Sequence, residues 1–518
     1  LGERVSTRHG LLEPNRFDRS RLLARAGVHD VDEVRQILRL CRLGAAVAAF
    51  AIGSSTGAGP AAGDDGTAFG AVAFGGLRGS DYVAHRDGDT FEYSESATIE
   101  FSQPLDFRSL LAHLTIEPSA PFSLSALDYG KRLGITMRKV PGLTYTIALT
   151  PGLLSLAGAP LDHPVVFHLK TAANPKVPAP LRSTKGEPYR YGALAHPFPG
   201  SLAGPGSDKV IDILATAGTR FVRIDYCGAQ NLGDVTPNAE PDFTIQDEIL
   251  DRLLAKGITE LPIVDQYCAP RWATGGKAYP AIYNDPADYA RYAGAVAAHV
   301  ASKYPKVTRM ELFNEPNLGG WWDYTGSAVA FADQSGAGAA LYMKAAYAAI
   351  KLAAPKMTVV GPALSDGGKD VDPRKYLRAM YGAGCRRGVC WDVLSVHNYR
   401  WLNPDFNVDP TAQNRFDVYK DLQAIASVNG DAGTHVMLTE WGFSTAPVAD
   451  GVDPRVQSRY IALGFNRMLA DPTVDGIVYV NVYNNGRPGS FWVDTRLVDQ
   501  NFVTSPGFET YKRFAGGS

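Results

Sequence analysis

The chain has 518 residues, 45% hydrophobic and 20% charged, an ordinary composition for a folded globular protein. Its 51 Lys+Arg against 53 Asp+Glu leave a net charge of -2, which argues against an electrostatic binder of nucleic acid or other polyphosphate. The length allows roughly three domains, and 53 Gly with 24 Tyr, 22 Phe and 7 Trp point to many turns and to flat apolar faces that serve a core first and flat polar ligands second.

The first 42 residues are Arg-rich and hold no core pattern. Leu43–Ile52 (LGAAVAAFAI) is an uncharged apolar run, preceded by Arg39 and Arg42 and followed by GSSTGAGPAAG. Charged flank, short apolar run and small-residue exit are the parts of a secretory signal. The run is too short to cross a bilayer, which takes about 20 residues. Residues 1–63 are therefore expected to be a leader, with translation starting near the apolar run. The mature protein is expected to be secreted, or held at the cell surface or in a periplasm, with no membrane span. A buried Ala-rich helix is the alternative. Cys41 leaves with the leader, and Cys227, Cys268, Cys385 and Cys390 remain. An even count in an exported protein suggests two disulfides. Cys385 and Cys390 share the loop GCRRGVC, while Cys227 and Cys268 each follow a predicted strand. Buried free thiols are the alternative for the second pair; neither pair has metal-binding spacing.

Residues 64–175 read as a small all-β domain. Short alternating segments recur in ATIEFS (97–102), LAHLTIEP (111–118), LGITMRK (133–139), TYTIALT (144–150) and VVFHLKT (165–171), with turn signals at Pro141-Gly142 and Pro151-Gly152. Many short strands at this spacing argue for a β-sandwich. IEFSQPLD, YTIALTPGLLSLAGAPL and FHLKT resemble bacterial Ig-like domains of exported proteins. The resemblance implies a spacer or packing partner, or a carbohydrate-binding module. The stretch 173–189 carries four Pro and no period, so 176–189 is read as a linker.

From 190 to 518 short β-like runs alternate with helical ones. The strand segments are YGALAH (191–196), RFVRIDY (220–226), TELPIVDQY (259–267), RMELFNEP (309–316), TVVGPA (358–363), DVLSVHNY (392–399), HVMLTEWG (435–442) and IVYVNVYN (477–484). Between them, TIQDEILDRLLAKG opens with Thr244 as a cap and ends at Gly257, and DPADYARYAGAVAAHVASKYP places Pro286 in a first turn. Alternating strands and helices of this number predict an α/β fold, a (β/α)8 TIM barrel. A doubly wound open sheet is the alternative, but no Gly-rich phosphate turn follows the first strand.

In such a barrel the chemistry sits at the C-terminal strand ends. The fourth strand ends in Asn314-Glu315-Pro316 and the seventh in Thr439-Glu440-Trp441. Both carboxylates would project into one mouth. Two facing carboxylates, one protonated and one ionised, are what cleavage of a glycosidic bond needs. Asn314 can donate to a sugar 2-hydroxyl. A lone strand-end Glu is often a helix cap or the partner of an Arg, so the pair carries the reading.

ELFNEPN and MLTEWGF resemble the two signatures of the clan A retaining (β/α)8 glycoside hydrolases, and most of all those of family 39, which includes β-xylosidases, iduronidases and bacterial exopolysaccharide hydrolases. The resemblance covers residues 190–518. It implies that Glu315 is the general acid/base, Glu440 the nucleophile and Asn314 the residue on the 2-hydroxyl. It further implies that Arg223 stands beside the nucleophile, and that His397 and Tyr399 line the site. A salt bridge to Asp225 or a loop carboxylate is the plainer reading of Arg223, and a core histidine that of His397. Many clan members end the eighth strand with Trp as the floor beneath the sugar. This chain has Asn481, Tyr483 and Asn484 there, so Tyr483 or the later Trp492 would take that place.

His196, Asp265 and Tyr267 end other strands, and the loops carry Trp321, Trp322, Tyr324, Arg400 and Trp401, which would line a sugar groove or plug the core beneath a long loop. The expected function is a secreted retaining glycosidase acting on a poly- or oligosaccharide. A glycan-binding barrel without catalysis and a transglycosylase are the alternatives. No metal or other cofactor is called for, since no HExxH group or dinucleotide fingerprint appears.

Overall fold

The computed structural model describes residues 68–516, apart from 79–80, 196–206, 234–235, 238, 278–280, 319–335, 367–370, 399–416, 485 and 491. Strands β1 (Ala71–Arg78), β2 (Asp81–Ala84), β4 (Ser96–Phe101), β6 (Phe122–Leu127) and β7 (Arg132–Met137) form an antiparallel sheet in the order β2-β1-β4-β7-β6. A second sheet, β3-β9-β8-β5, is built from β3 (Thr90–Phe91), β5 (Leu114–Glu117), β8 (Thr144–Leu149) and β9 (Val165–Thr171). Successive side chains of a strand point to opposite faces. Accordingly Ala97, Ile99 and Phe101, Leu133, Ile135 and Met137, Tyr145, Ile147 and Leu149, and Val165, Phe167 and Leu169 share one buried cluster. Phe74 stacks on Phe167 with ring centres 4.6 Å apart, joining the two sheets. β1, β2, β3 and β6 lie outside the predicted strands. Gly75-Gly76 interrupts the apolar run of β1, and most β6 side chains are only half buried, so neither shows a strong alternation.

Residues 176–189 hold no helix or strand, yet they are clasped by helices of the barrel. Asn466 donates to Ala179 O at 2.7 Å and accepts from Leu181 N at 2.9 Å. Arg459 and Arg513 donate to the carbonyls of Lys176 and Pro178 at 2.7 and 3.0 Å.

The barrel strands are β10 (Tyr191–Ala195), β11 (Phe221–Asp225), β12 (Thr259–Val264), β13 (Arg309–Leu312), β14 (Thr358–Ser365), β15 (Val393–His397), β16 (Val436–Trp441) and β17 (Val474–Tyr479), each parallel to the next, with β17 closing on β10. After them in turn come α1 (Ser207–Thr216), α2 (Thr244–Ala255), α3 (Pro286–Lys303), α4 (Ala337–Ala353), α5 (Pro373–Gly382), α6 (Val418–Val428), α7 (Pro454–Leu469) and α8 (Pro506–Ala515). The predicted barrel is present. Three helices open on Asp-Pro: Asp285, Asp372 and Asp453 accept from the amides of Ala287, Arg374 and Arg455 at 2.8, 2.8 and 2.9 Å, ahead of a proline whose missing N–H costs nothing there. α2 departs from expectation. Thr244 is its first helical residue rather than its cap, and the carboxylate of Asp242 accepts from the Thr244 amide at 2.9 Å. No helix of the described residues is long and apolar enough to cross a membrane.

Both cysteine pairs are bonded, Cys227 to Cys268 and Cys385 to Cys390, with Cα atoms 5.2 and 5.4 Å apart. The first ties the chain beyond β11 to the chain beyond β12 across 41 residues, which on loop-closure entropy restricts the unfolded chain by about 4 kcal/mol.

Phe221, Leu261, Val360, Val393, Met437 and Val478 form an apolar layer inside the barrel. On the strands that carry it, the same alternation then places Arg223 and Asp225 beyond Phe221, and Ser395 and His397 beyond Val393. Glu260 alternates with inward Leu261 and so faces the helix layer. It is wholly buried and accepts from the Tyr226 hydroxyl at 2.8 Å. Burial pushes its carboxyl up to about 8. A carboxyl whose folded pKa exceeds its unfolded value keeps its proton longer in the native state. Its contribution to stability is complete below about pH 4.5 and is lost as pH rises through about 8. We expect melting temperature to fall between pH 5 and pH 8, and Glu260→Gln, which keeps the acceptor, to flatten that fall. An unchanged slope in the variant would exclude Glu260 as its source.

Candidate active site

β13 stops at Leu312, and the chain then takes a sharp course. Phe313 and Glu315 have φ of 69° and 45°, a left-handed backbone that costs a non-glycine residue about 1–3 kcal/mol. Between them Asn314 bridges to Ala363 on β14, and the Glu315 amide donates to the Ala363 carbonyl at 2.9 Å. Pro316 follows. The Asn317 carboxamide then holds Ser365 by both its amide and its carbonyl, at 2.8 and 2.7 Å.

Glu440 reaches the interior by a different device. Val396 of β15 pairs with Leu438, but the next residue, His397, pairs with Glu440. Thr439 is the extra residue of a β-bulge, which re-aims the side chain after it. Gly442 lets this strand end approach β17, since a Cβ there would lie 2.4 Å from the Val480 carbonyl oxygen.

Arg223 joins the two motifs. It is completely buried, and its guanidinium donates to Glu440 Oε1 at 2.7 Å, to Asn314 Oδ1 at 3.0 Å and to Glu311 on β13. Burial alone would depress its pKa, but Glu311 and Glu440 outweigh it and raise the value above the ordinary arginine range. Because a guanidinium only donates, the Asn314 carboxamide must turn its oxygen to Arg223, which leaves Nδ2 as its donor. His397 Nδ1 lies 2.9 Å from Glu315 Oε1 and 3.6 Å from Glu440 Oε2. One nitrogen or oxygen from each of Glu315, His397 and Glu440 falls within 4.8 Å of the others. All three residues are buried, Glu315 at 6% exposure and Glu440 at 3%.

Asp225 and Asp265 are a second pair of buried acids. The Asp225 carboxyl is hydrogen-bonded to that of Asp265. Burial pushes Asp225 up to about 7, against the opposing pull of Asp265 and Arg223.

Glu315, His397 and Glu440 have the donor types of a metal site. A divalent cation among them would face the Arg223 guanidinium, which already neutralises Glu440, and would break the His397–Glu315 bond. The set fits proton transfer beside a fixed cation better than it fits metal binding.

Sequence reasoning thus named five residues that the fold gathers into one cluster: Arg223, Asn314, Glu315, His397 and Glu440. Asp265 and Tyr267 are buried near the strand ends. Tyr483 stacks its ring on Phe502 at 5.2 Å. Trp492 is 43% exposed, and Asn481 Nδ2 donates to its carbonyl at 3.0 Å. His196, Trp321, Trp322, Tyr324, Tyr399, Arg400 and Trp401 fall outside the described residues. Sequence reasoning missed Glu311 and Gln266. Glu311 stands two residues before Phe313 in ELFNEPN, and its polarity within an apolar strand was an available signal. Gln266, between the named Asp265 and Tyr267, carried none, because its partner is backbone 48 residues away.

No protein-family model and no curated protein matches the sequence. Among solved structures, the chain is similar to a family 39 glycoside hydrolase from the gut symbiont Bacteroides cellulosilyticus WH2, at 18% identity and a TM-score of 0.45 over 81% of this chain and 80% of that one. It is also similar to a monomeric β-xylosidase from Caulobacter crescentus CB15, at 19% identity and a TM-score of 0.47 over 65% and 69% of the two chains. A GH5_18 protein from Streptomyces cattleya in complex with GlcNAc has 16% identity and a TM-score of 0.47 over 66% and 80%.

Proposed function

We propose that the chain is a secreted retaining glycoside hydrolase that cleaves a poly- or oligosaccharide by double displacement. The observation that carries this reading is the closeness of two buried carboxyl groups, one in the turn just beyond β13 and one on β16: an oxygen of Glu315 and one of Glu440 lie within 4.8 Å. Direct attack on a sugar suits carboxyls about 5 Å apart, whereas an inverting enzyme needs about 6.5–9.5 Å to admit a water between. Glu440, paired with Arg223, attacks the anomeric carbon as the carboxylate. Glu315 gives its proton to the departing oxygen. In the second step Glu315 takes a proton from water, which releases the sugar from Glu440 with its configuration restored. His397 holds Glu315 by its hydrogen bond. Asn314 Nδ2 donates to the sugar 2-hydroxyl, an interaction that strengthens as the ring flattens. His196, Trp321, Trp322, Tyr399, Tyr483 and Trp492 are proposed to line the sugar groove. The two disulfides support an oxidising compartment, hence export.

The test is a panel of β-xylosides, arabinofuranosides, galactosides and bacterial exopolysaccharides, with the first-formed anomer read by proton NMR. Hydrolysis with retention is expected for at least one substrate. Inversion, or no cleavage across the panel and no transfer to an added acceptor sugar, would refute the reading.

A further inference from the structure

The acid/base segment is held from one side by a residue with no place in the chemistry above. β12 ends at Val264, whose carbonyl accepts from the Phe313 amide at 3.2 Å, and the β12–β13 ladder stops there, with Asn314 outside it. Gln266 fills that gap with its side chain. Its Oε1 accepts from the Asn314 amide at 2.8 Å, and its Nε2 donates to the Asn314 carbonyl at 2.8 Å. Gln266 is 1% exposed, and Asn314 is also 1% exposed. A side-chain carboxamide thus pairs with a peptide as a neighbouring strand would. The residue it grips is the one between the two left-handed residues, Phe313 and Glu315. On the far side, Asn314 and Glu315 are tied to Ala363 of β14. Without Gln266, two buried backbone groups lose their partners, and the turn is free to relax toward ordinary φ values, carrying Glu315 with it.

We propose that Gln266 is a positioning residue for Glu315, substituting for a strand edge so that the strained 313–315 turn keeps the carboxyl against His397 and facing Glu440. The proposal rests on the glycosidase reading for its kinetic consequences, and on the Glu315–His397 contact for a consequence independent of activity.

The experiment compares Gln266→Met, which keeps the volume and loses both bonds, with Gln266→Glu. A carboxyl buried this deeply is pushed toward its neutral form and then offers one donor and one acceptor. Kinetics use the sugar that the wild type cleaves, on an activated dinitrophenyl leaving group and on a plain phenyl one. Misplacing a catalytic group by about 1 Å can cost about 100-fold, so Gln266→Met is expected to lose roughly that factor in kcat/KM on the phenyl glycoside. On the dinitrophenyl glycoside, whose departure needs no acid, the loss in kcat/KM is expected to stay within about threefold, while kcat and KM fall together because release of the sugar from Glu440 still needs Glu315 as base. Gln266→Glu is expected to recover most of the phenyl activity. The crystal structure of Gln266→Met is expected to show the Glu315 carboxyl out of hydrogen-bond reach of His397 Nδ1, now 2.9 Å away. Equal losses on both leaving groups, or a Glu315–His397 contact intact in Gln266→Met, would overturn the proposal. A wild type that cleaves none of the sugars would overturn the glycosidase reading instead, and the Glu315–His397 contact would still decide the role of Gln266.

Discussion

Glu440→Gly is expected to lower turnover by about 10⁴-fold or more, because the covalent step loses its nucleophile and no other carboxylate can take its place. Arg223 would remain, with Glu311 still paired to it, so the barrel should stay folded. The variant leaves space where the carboxylate was. Azide should enter it and attack from the same face, giving a glycosyl azide of inverted configuration. Glu315→Ala should behave differently. Its loss on a poor leaving group is expected to be about 10²–10⁴-fold, with much less on an activated one, and azide should give a product of retained configuration. Circular dichroism and melting curves separate both outcomes from misfolding. Wild-type turnover by either variant, or the same azide product from both, would show that the two roles have been misassigned.

Arg223→Met is expected to have the largest effect on stability of any single change at the site. Arg223 is a completely buried cation facing Glu311 and Glu440. Removing one member of a buried ion pair costs about 3–5 kcal/mol, since the charge left behind loses its compensating partner away from water. Here two carboxylates are left behind. The double variant Arg223→Met/Glu311→Gln should recover much of the lost melting temperature by removing one of them. It should not recover activity, because Glu440 and the Asn314 carboxamide would both have lost the donor that orients them. Arg223→Lys is not expected to rescue either, as one ammonium cannot reach three acceptors in fixed directions. Single and double variants that melt alike would show that Glu311 does not share the charge of Arg223.

What could be read from the sequence follows from how local the signal was. Eight barrel strands were legible because each is a short apolar run set off from the next by a longer stretch of helical composition. The Asp-Pro helix starts are written in adjacent letters. Glu315 and Glu440 were legible because strand ends in this fold converge, so the position of each on its strand carried the information. The bulge at Thr439 was not legible: register is a relation between two strands, and only the pairing with His397 reveals it. Gln266 was hidden for the same reason, as its partner is a peptide group, which has no letter of its own. β1 and β6 were missed because Gly-Gly and partial burial weaken the alternation that marks a strand. The loops bearing Trp321, Trp322 and Tyr399 were read from residue type alone, and they lie outside the described residues.

The clasp on residues 176–189 bears on how the protein can be divided. A Pro-rich stretch without regular structure looks like the natural place to cut, yet its carbonyls are the acceptors for Arg459, Asn466 and Arg513 on α7 and α8. Tyr93, from the sandwich half of the chain, also sits in the same buried cluster as the barrel's helix layer. A barrel produced from residue 190 onward would therefore carry an unfilled seat on that layer and three donors stripped of their acceptors. The part of the chain that looks like packaging doubles as the outer wall of the part that looks like the enzyme, so the smallest useful fragment begins ahead of the sandwich.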